Sequence, residues 1–551
     1  MSSAVPPPST GFRARPAVAT PLLGAALAAA AVFLLSLPYL PFQDLPNHAL
    51  LLIYDRALGP EGNAWLQRPS FISFGYTAYI WWARLLAPVL SIDGVLKLLA
   101  AMAVAALPLA TARLAAVLGA PGALAGLLVL PFALGWPLRM GLISFVLGLP
   151  LALLCAASAV LLGRRPSTGR ALILALECAA AYLTHAFAFG LALALILLAV
   201  AVPGRPSRRL AGMLVLALLP AGILVGWDAW HGSWRPTGSA SPISAPESPV
   251  RFRPVGEALS HVACRTYGIP RASSLPSYLP HLALLAIAAG TLLARRRGAG
   301  ESLDPAARRF LLAGGTILTL GTLAMPDTAG RAYLLGSRPA MAGMCLLGIA
   351  AAVGLRRTVR RGALPAAAAA TILACAASVA GIARDAREVR DVVGRRPPRS
   401  VAGNVLVARA ADCRRATSYA WGAWDPLRQA WAYALSPAGS TPYLFAEHRY
   451  DMVWYRPGAN PPHPPAGRAL SDERNLDGAA CAERNRERVL RSLSWPGYDG
   501  VIVLGSPEAG RAAVEASGVR DPVRLAPGMW LLSGPGAPAR DRAATRPRSG
   551  P

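Results

Sequence analysis

The sequence predicts a polytopic α-helical membrane protein carrying a small α/β domain at its C-terminal end, and three observations predict it. Of its 551 residues, 54% are hydrophobic and only 15% charged, where a soluble protein of ordinary composition is about 25% charged; the mean hydropathy is +0.42. Apolar runs of bilayer-crossing length, roughly 20 residues each, recur between residues 17 and 384 with basic clusters between them. From about residue 387 they give way to a polar stretch rich in Arg, Pro and Gly.

The formal charge of +27 has the sign of a nucleic-acid binder. Its distribution argues otherwise. Lys97 is the only lysine, and much of the arginine lies between apolar segments, where the positive-inside rule expects it. The charge is a topology signal, and no nucleic-acid partner is expected.

The elements follow in order. The first run, Val18–Leu40, comes after Arg13 and Arg15 and ends in "LPYLPF". It exceeds the 7–15-residue core of a signal peptide, so it reads as a retained anchor behind a cytoplasmic N-terminus, residues 1–16. Further runs fall near 74–90, 94–118, 121–137, 141–163, 170–186, 187–203, 208–227, 278–294, 307–325, 332–355 and 363–384. Basic clusters sit at Arg13/Arg15, Arg164/Arg165/Arg170, Arg205/Arg208/Arg209, Arg295–Arg297 and Arg356/Arg360/Arg361. If all face the cytoplasm, each interval between them holds an even number of crossings. The interval from Arg15 to Arg164 offers an odd number, so one run does not cross. The run 74–90, with Tyr76, Tyr79, Trp81 and Trp82, suits an interfacial or re-entrant position. About 11 spans result, with 13 the alternative. Residues 170–203 read as a hairpin with Thr184 and His185 near its outer tip.

The membrane domain thus covers 17–386, with outward loops at 41–73 and 228–277. An extracytoplasmic α/β domain follows over 387–535, where "GNVLVA" and "YDGVIVLG" read as buried strands and "AERNRERVLRSL" as an amphipathic helix. Residues 536–551 read as a disordered tail. No C-x-x-C pair is present. Cys155, Cys178, Cys345 and Cys375 lie in apolar runs as core filler, and Cys413–Cys481 is a candidate disulfide if the polar segments face an oxidising compartment.

Chemistry concentrates in "PFQDLPNHAL", residues 41–50, where the chain leaves the first span. Pro46 disfavours helix at Leu45, so Asp44 sits in an extended or turn segment while Asn47 and His48 begin a helix. Two chemistries fit. Asp44 is a general base with His48 holding the acceptor or a phosphate, or both ligate a divalent metal. The bland alternative is that Asp44 or Asn47 caps the helix and His48 is a polar surface residue. Asp55 adjoins Arg56 and reads as an ion-paired surface acid. No P-loop, dinucleotide fingerprint, H-E-x-x-H or nucleophile elbow is present.

The stretch "DLPNHALLLIYDRALG" resembles a D-x-P-x-H pattern of bacterial membrane proteins. With the N-terminal anchor, the outward loop that opens on an acid, the many spans and the outward C-terminal domain, it is similar to the GT-C superfamily of polyprenyl-phosphate-sugar-dependent glycosyltransferases. The resemblance implies that the acid of the first outward loop, here Asp44, is the catalytic base or lies beside the acceptor site. It also implies a lipid-linked phosphate held near the outer face, for which arginine forks are suited. In "MPDTAGRAYLLGSRPAMAG", Arg331 and Arg338 stand about two helical turns apart and share a helical face if the run is helical throughout. Arg338 would then lie inside the apolar run; the alternative pairs Arg331 with Asp327 and lets Arg338 snorkel. His185 lines the acceptor region or is a satisfied core residue. Arg139, in the turn "RMGLISF", serves anions or anchors the interface. Glu177 needs a partner from another segment.

The implied activity is transfer of a sugar from a polyprenyl-phosphate donor to an envelope glycan, lipid or protein, at the outer face of a bacterial inner membrane. Asp44 is catalytic, and Asn47, His48, His185, Arg331 and Arg338 bind substrate. No cofactor is assigned, with a divalent metal the open option. The alternatives are a lipid-linked glycan transporter or scaffold, and a GT-C fold that binds polyprenyl lipid without transferring sugar.

Overall fold

The computed structural model describes residues 19–58, 66–67, 73–201, 207–231, 252, 254–256, 303–326, 328–329, 332–333, 338–358, 363–412, 426–427, 429–441, 454–455, 478–495 and 497–533. The loop 228–277 therefore lies mostly outside the described residues, as do Asp327, Arg331 and Cys413.

The chain begins as a helical bundle: α1 (Ala19–Ser36), α2 (Leu45–Ala57), α3 (Ala78–Leu86), α4 (Ile92–Val117), α5 (Gly122–Ala133), α6 (Trp136–Arg139), α7 (Ile143–Arg164), α8 (Thr168–Thr184), α9 (Ala186–Ala201) and α10 (Arg208–Trp230). It continues through α11 (Pro305–Arg309), a π turn (Phe310–Gly314), α12 (Gly315–Ala324), α13 (Arg338–Thr358) and α14 (Ala363–Val393). Seven helical segments among the described residues are long and apolar enough to cross a membrane. The protein is a multi-pass membrane protein.

The run expected not to cross contains only the nine-residue α3, which rises about 13 Å against a hydrocarbon core of about 30 Å. Its Trp81 and Trp82 stay exposed. α4 and α7 form the spine of the bundle, packed on each other and on α5 and α9. Their buried faces are Leu, Ala and Val.

Chain direction sorts the ends. α1 ends where α2 begins, and α7, α9 and α13 all start at that same end of the bundle, while α8 and α10 finish there. Arg164 meets the last turn of α4 at the opposite end, donating to the Val117 carbonyl at 2.6 Å.

At about 46 Å, the 31-residue α14 carries the chain out of the bundle into an α/β unit. Its last turns supply Val389, Val392 and Val393 to that unit's core. The unit is a five-stranded sheet in the order β5 (Leu435–Ser440), β4 (Val401–Arg409), β7 (Gly500–Leu504), β9 (Met529–Ser533), β8 (Val523–Ala526). β4 runs parallel to both neighbours, and β9 is antiparallel to β7 and β8. α15 (Gly478–Leu493) and α16 (Pro507–Ser517) pack on it. Cys481, on α15, is disulfide-bonded; the expected partner Cys413 lies outside the described residues. Two short ribbons complete the chain: β1 (Leu66–Gln67) pairs antiparallel with β6 (Trp454–Tyr455), and β2 (Thr328–Ala329) with β3 (Ala332–Tyr333).

α2 sits between the two bodies. Leu45, Ala49 and Leu52 join the core of the bundle, whereas Leu50, Leu51, Tyr54 and Leu58 join that of the α/β unit. The helix that carries the opening motif is therefore clamped on both sides.

Candidate functional site

Asp44 is placed by backbone before its side chain matters. The N–H groups of Gln43 and Asp44 donate to the carbonyls of Arg139 and Met140 at 2.9 and 3.0 Å, so the exit of the first span runs as a short ladder along the α6 turn. Gly141, at φ +78, follows; a Cβ there would lie 2.8 Å from the Leu45 nitrogen and 2.9 Å from that of Asp44. Only glycine fits this conformation and this approach. Asp44 occupies the N-cap position of α2 without a side-chain cap bond, with Pro46 in the first turn where its missing N–H is harmless. Its Oδ1 accepts from the Gln43 amide at 3.2 Å. The carboxylate is part-exposed.

Within the first turn of α2, Asn47 is fully buried and His48 part-exposed. The His48 ring meets the edge of Tyr79 at 5.2 Å. Burial holds the imidazole neutral, with a pKa lowered from 6.5 to about 4, because a charged ring loses its hydration there.

The second cluster is built on the break between α8 and α9. His185 is extended at φ −167, ψ 117 and ends α8. Its Nδ1 accepts from the N–H groups of Phe187 and Ala188 at 3.0 and 3.4 Å, the free donors of the first turn of α9. Nδ1 thus carries the lone pair, and the neutral ring has its proton on Nε2. Arg338 Nη1 stands 3.2 Å from that Nε2. Two donors cannot bond one another, so in this tautomer the contact brings N–H groups of both side chains to one place. The Arg338 guanidinium also lies over Phe145 and Phe187, 5.3 and 5.4 Å from the ring centroids.

Tyr76 covers His185, with ring centroids 4.1 Å apart, from a backbone at φ 77 that an aromatic residue rarely adopts. Asp228, fully buried at the end of α10, explains how the turn is held. Its carboxylate accepts from the N–H of Phe74 at 3.0 Å, the N–H of Gly75 at 2.9 Å and the hydroxyl of Tyr182 at 2.6 Å. Charge-assisted bonds contribute about 1.5–3 kcal/mol each, enough together to offset the roughly 1–3 kcal/mol of an unfavourable φ.

The two clusters meet at the start of α7. Gly141 touches the Asp44 backbone, and Phe145, about one helical turn on, touches both His185 and Arg338. α3 and the turn before it also bridge them, with Tyr79 of α3 on His48 and Tyr76 of the turn on His185. Asp44, His48, His185 and Arg338 thus share one end of the bundle.

Five expectations change. α2 begins at Leu45, ahead of Asn47 and His48, because Pro46 fits within a first turn, where its missing N–H has no partner to lose. Arg338 opens α13 instead of lying within the apolar run, because Pro339 is tolerated only in a first turn. Residues 328–329 and 332–333 pair as strands, so 332–333 do not belong to the helix that opens at Arg338; Arg331, expected to share its face, lies outside the described residues. Asp55 is buried and pairs with Arg84 at 2.8 Å, not with Arg56, whose guanidinium reaches the Ala83 carbonyl. Arg139 is 3% exposed and donates to the Ser378 carbonyl at 2.9 Å, with Asp385 at 3.9 Å. It anchors the α6 turn to α14 instead of facing anions. Among the described residues no group of three or more His, Cys, Asp and Glu is placed to hold a metal; Asp44 and His48 offer at most two ligands where a catalytic metal ordinarily takes three.

Asp228, Tyr182, Tyr76 and Gly141 were not singled out in the sequence as site residues. Asp228 carried the one readable signal, as the first acid after Glu177, standing at the end of an apolar run.

No protein-family model matches the sequence, and no curated protein matches it. Among solved structures, ArnT from Cupriavidus metallidurans, bound to undecaprenyl phosphate, superposes with a TM-score of 0.50 at 11% identity, over 96% of this chain and 99% of that one. The mycobacterial arabinofuranosyltransferase AftD superposes at a TM-score of 0.47 and 18% identity, over 94% of this chain and 42% of that one. The overlap with ArnT is one of fold, and it runs through the membrane bundle and the α/β unit alike.

Proposed function

For a chain that has the GT-C-like fold over nearly its whole length, we propose a membrane glycosyltransferase that moves a sugar from a polyprenyl-phosphate donor to a cell-envelope acceptor at the outer face of the inner membrane. The observation that carries this reading is the meeting, at the start of α7, of a part-exposed carboxylate held by backbone with a converging pair of N–H donors. A base and an anion site on one bundle end are what displacement of a lipid phosphate requires.

In this reading the Asp44 carboxylate takes the proton of an acceptor hydroxyl. The oxygen attacks the anomeric carbon, the bond from that carbon to the phosphate oxygen breaks, and the electron pair leaves with the polyprenyl phosphate. Inversion at the sugar follows from a single displacement. Arg338, with the Nε2–H of His185 beside it, meets the charge that develops on the phosphate. Arg331 is assigned to the same phosphate. His48 faces the acceptor as a neutral hydrogen-bonding ring; Asn47, assigned to the substrate by its place in the motif, is fully buried beside it in sequence. The outward assignment of this end is supported by the disulfide of Cys481, since such bonds persist in oxidising compartments, and by the arginine clusters expected at the other end. The α/β unit is then an extracytoplasmic cap that helps choose the acceptor.

The test is mass spectrometry of lipids co-purifying with the wild-type protein and with Asp44→Asn. A polyprenyl-phosphate sugar is expected on the variant and bare polyprenyl phosphate on the wild type, with transfer reduced about 10²-fold or more. Absence of any polyprenyl species from both, together with no uptake of added donor, overturns the proposal.

A further inference from the structure

We infer that Asp228 is a positioning residue for the phosphate end of the site. It holds the 74–76 turn so that Tyr76 fixes the ring of His185 against Arg338. The inference rests on the reading of His185 and Arg338 as the phosphate site and adds a control on it that lies two contacts away.

A continuous path of contacts connects them. Asp228 gathers the N–H groups of two successive residues, Phe74 and Gly75, together with the Tyr182 hydroxyl. The next residue, Tyr76, is the described bulky residue with its backbone at positive φ nearest this site, at 77°. Its ring lies on the His185 imidazole at 4.1 Å, while Phe145 closes another side at 5.5 Å. The imidazole is thereby fixed between two aromatic rings and the first turn of α9, and this orientation aims Nε2 at Arg338. A tyrosine left to itself would relax out of the left-handed region and take its ring with it. Asp228 prevents that relaxation. Tyr182 ties the device to α8, the helix that His185 terminates, so both ends of the path are referred to one element. Gly75 suits its place, since a Cβ there would stand 3.6 Å from the carboxylate and 3.7 Å from the Tyr182 ring.

The prediction is one of non-additivity. If Asp228 acts through Tyr76, removing either breaks the same path, and removing both costs no more than removing one. Undecaprenyl phosphate is titrated onto the full chain in nanodiscs, comparing wild type with Asp228→Asn, Tyr76→Gly, the double variant and Arg338→Ala. Asp228→Asn and Tyr76→Gly are each expected to weaken binding roughly ten- to hundredfold, the scale of one charge-assisted hydrogen bond to the phosphate lost. The double variant should match the weaker single one, and Arg338→Ala should bind weakest of all. Should Asp228→Asn fail to fold, Tyr182→Phe, which removes one of the three donors, replaces it and must show the same non-additivity with Tyr76→Gly. Wild-type affinity in Asp228→Asn overturns the inference, and so do losses that multiply in the double variant, the result expected of a carboxylate that only stabilises the fold. If the wild-type protein shows no saturable binding, or Arg338→Ala binds as wild type does, the phosphate reading fails and this inference with it.

Discussion

His48 shows how a single residue couples site chemistry to stability. Its folded pKa of about 4 lies below the ordinary 6.5 because burial penalises the charged ring. Above pH 6.5 both folded and unfolded rings are neutral and the residue contributes no pH dependence. Between 6.5 and about 4 the unfolded chain binds the proton that the folded ring refuses, so stability falls as pH falls through that window. The thermal midpoint of the detergent-solubilised protein should therefore drop from pH 7 to pH 4.5, and His48→Gln should flatten that part of the slope. An unchanged slope in the variant would place the titration elsewhere. At this scale the sequence was informative where an ionisable group broke an apolar context. Asp44, His48, His185 and Arg338 all stood out that way, and all lie at one bundle end. Tyr76 did not, because its importance is a backbone angle set by Asp228, more than 150 residues away.

Among the elements, the turn from α6 into α7 decides most. It receives two backbone bonds from the exit of the first span, it is tied to α14 through Arg139, and its glycine admits the Asp44 backbone. Gly141→Ala puts a Cβ into the Leu45 and Asp44 nitrogens at a φ that L-residues avoid. A stability loss of about 1–3 kcal/mol is expected, accompanied by a loss of transfer out of proportion to it, because the displaced backbone carries Asp44, the base of the proposed reaction. Measured together, the thermal midpoint and the transfer rate separate the two effects. A variant as active as wild type would mean that Asp44 is not positioned by this turn. The run 74–90 was legible as unusual from its aromatic residues: it contains only the nine-residue α3, whose Trp81 and Trp82 stay exposed. The run read as 332–355 opens later, at Arg338, because Pro339 can stand in a first turn but not within a helix.

At the scale of the whole molecule, the question is how the α/β unit reaches the chemistry, given that it contributes none of the described site residues. Its core is continuous with α2: Trp431, Tyr433 and Leu435 pack with Tyr39, Leu50, Leu51 and Tyr54, and the buried Tyr54 hydroxyl donates to the Gly439 carbonyl. A salt bridge also joins the two bodies, Arg399 to Asp93 at 3.3 Å, with both side chains substantially exposed. These contacts differ in weight. An exposed ion pair contributes about 0–1 kcal/mol, whereas truncating a buried tryptophan costs about 3–5 kcal/mol. The two strand motifs were readable in the sequence, since they fall in β4 and β7, but this shared core was not, because α2 alone reads as one apolar helix and does not reveal that its two faces have different owners. Arg399→Ala should leave transfer within about twofold of wild type. Trp431→Ala should reduce it strongly while the protein still inserts and folds as a bundle, since what loosens is the outer wall of the helix that begins at Asp44. Limited proteolysis supplies the second readout: in Trp431→Ala the α/β unit is cut faster while the membrane core persists. Full activity in a Trp431→Ala protein whose α/β unit has become protease-sensitive would show that α2 is held by the bundle alone, and that the clamp on its outer face has no part in positioning the base.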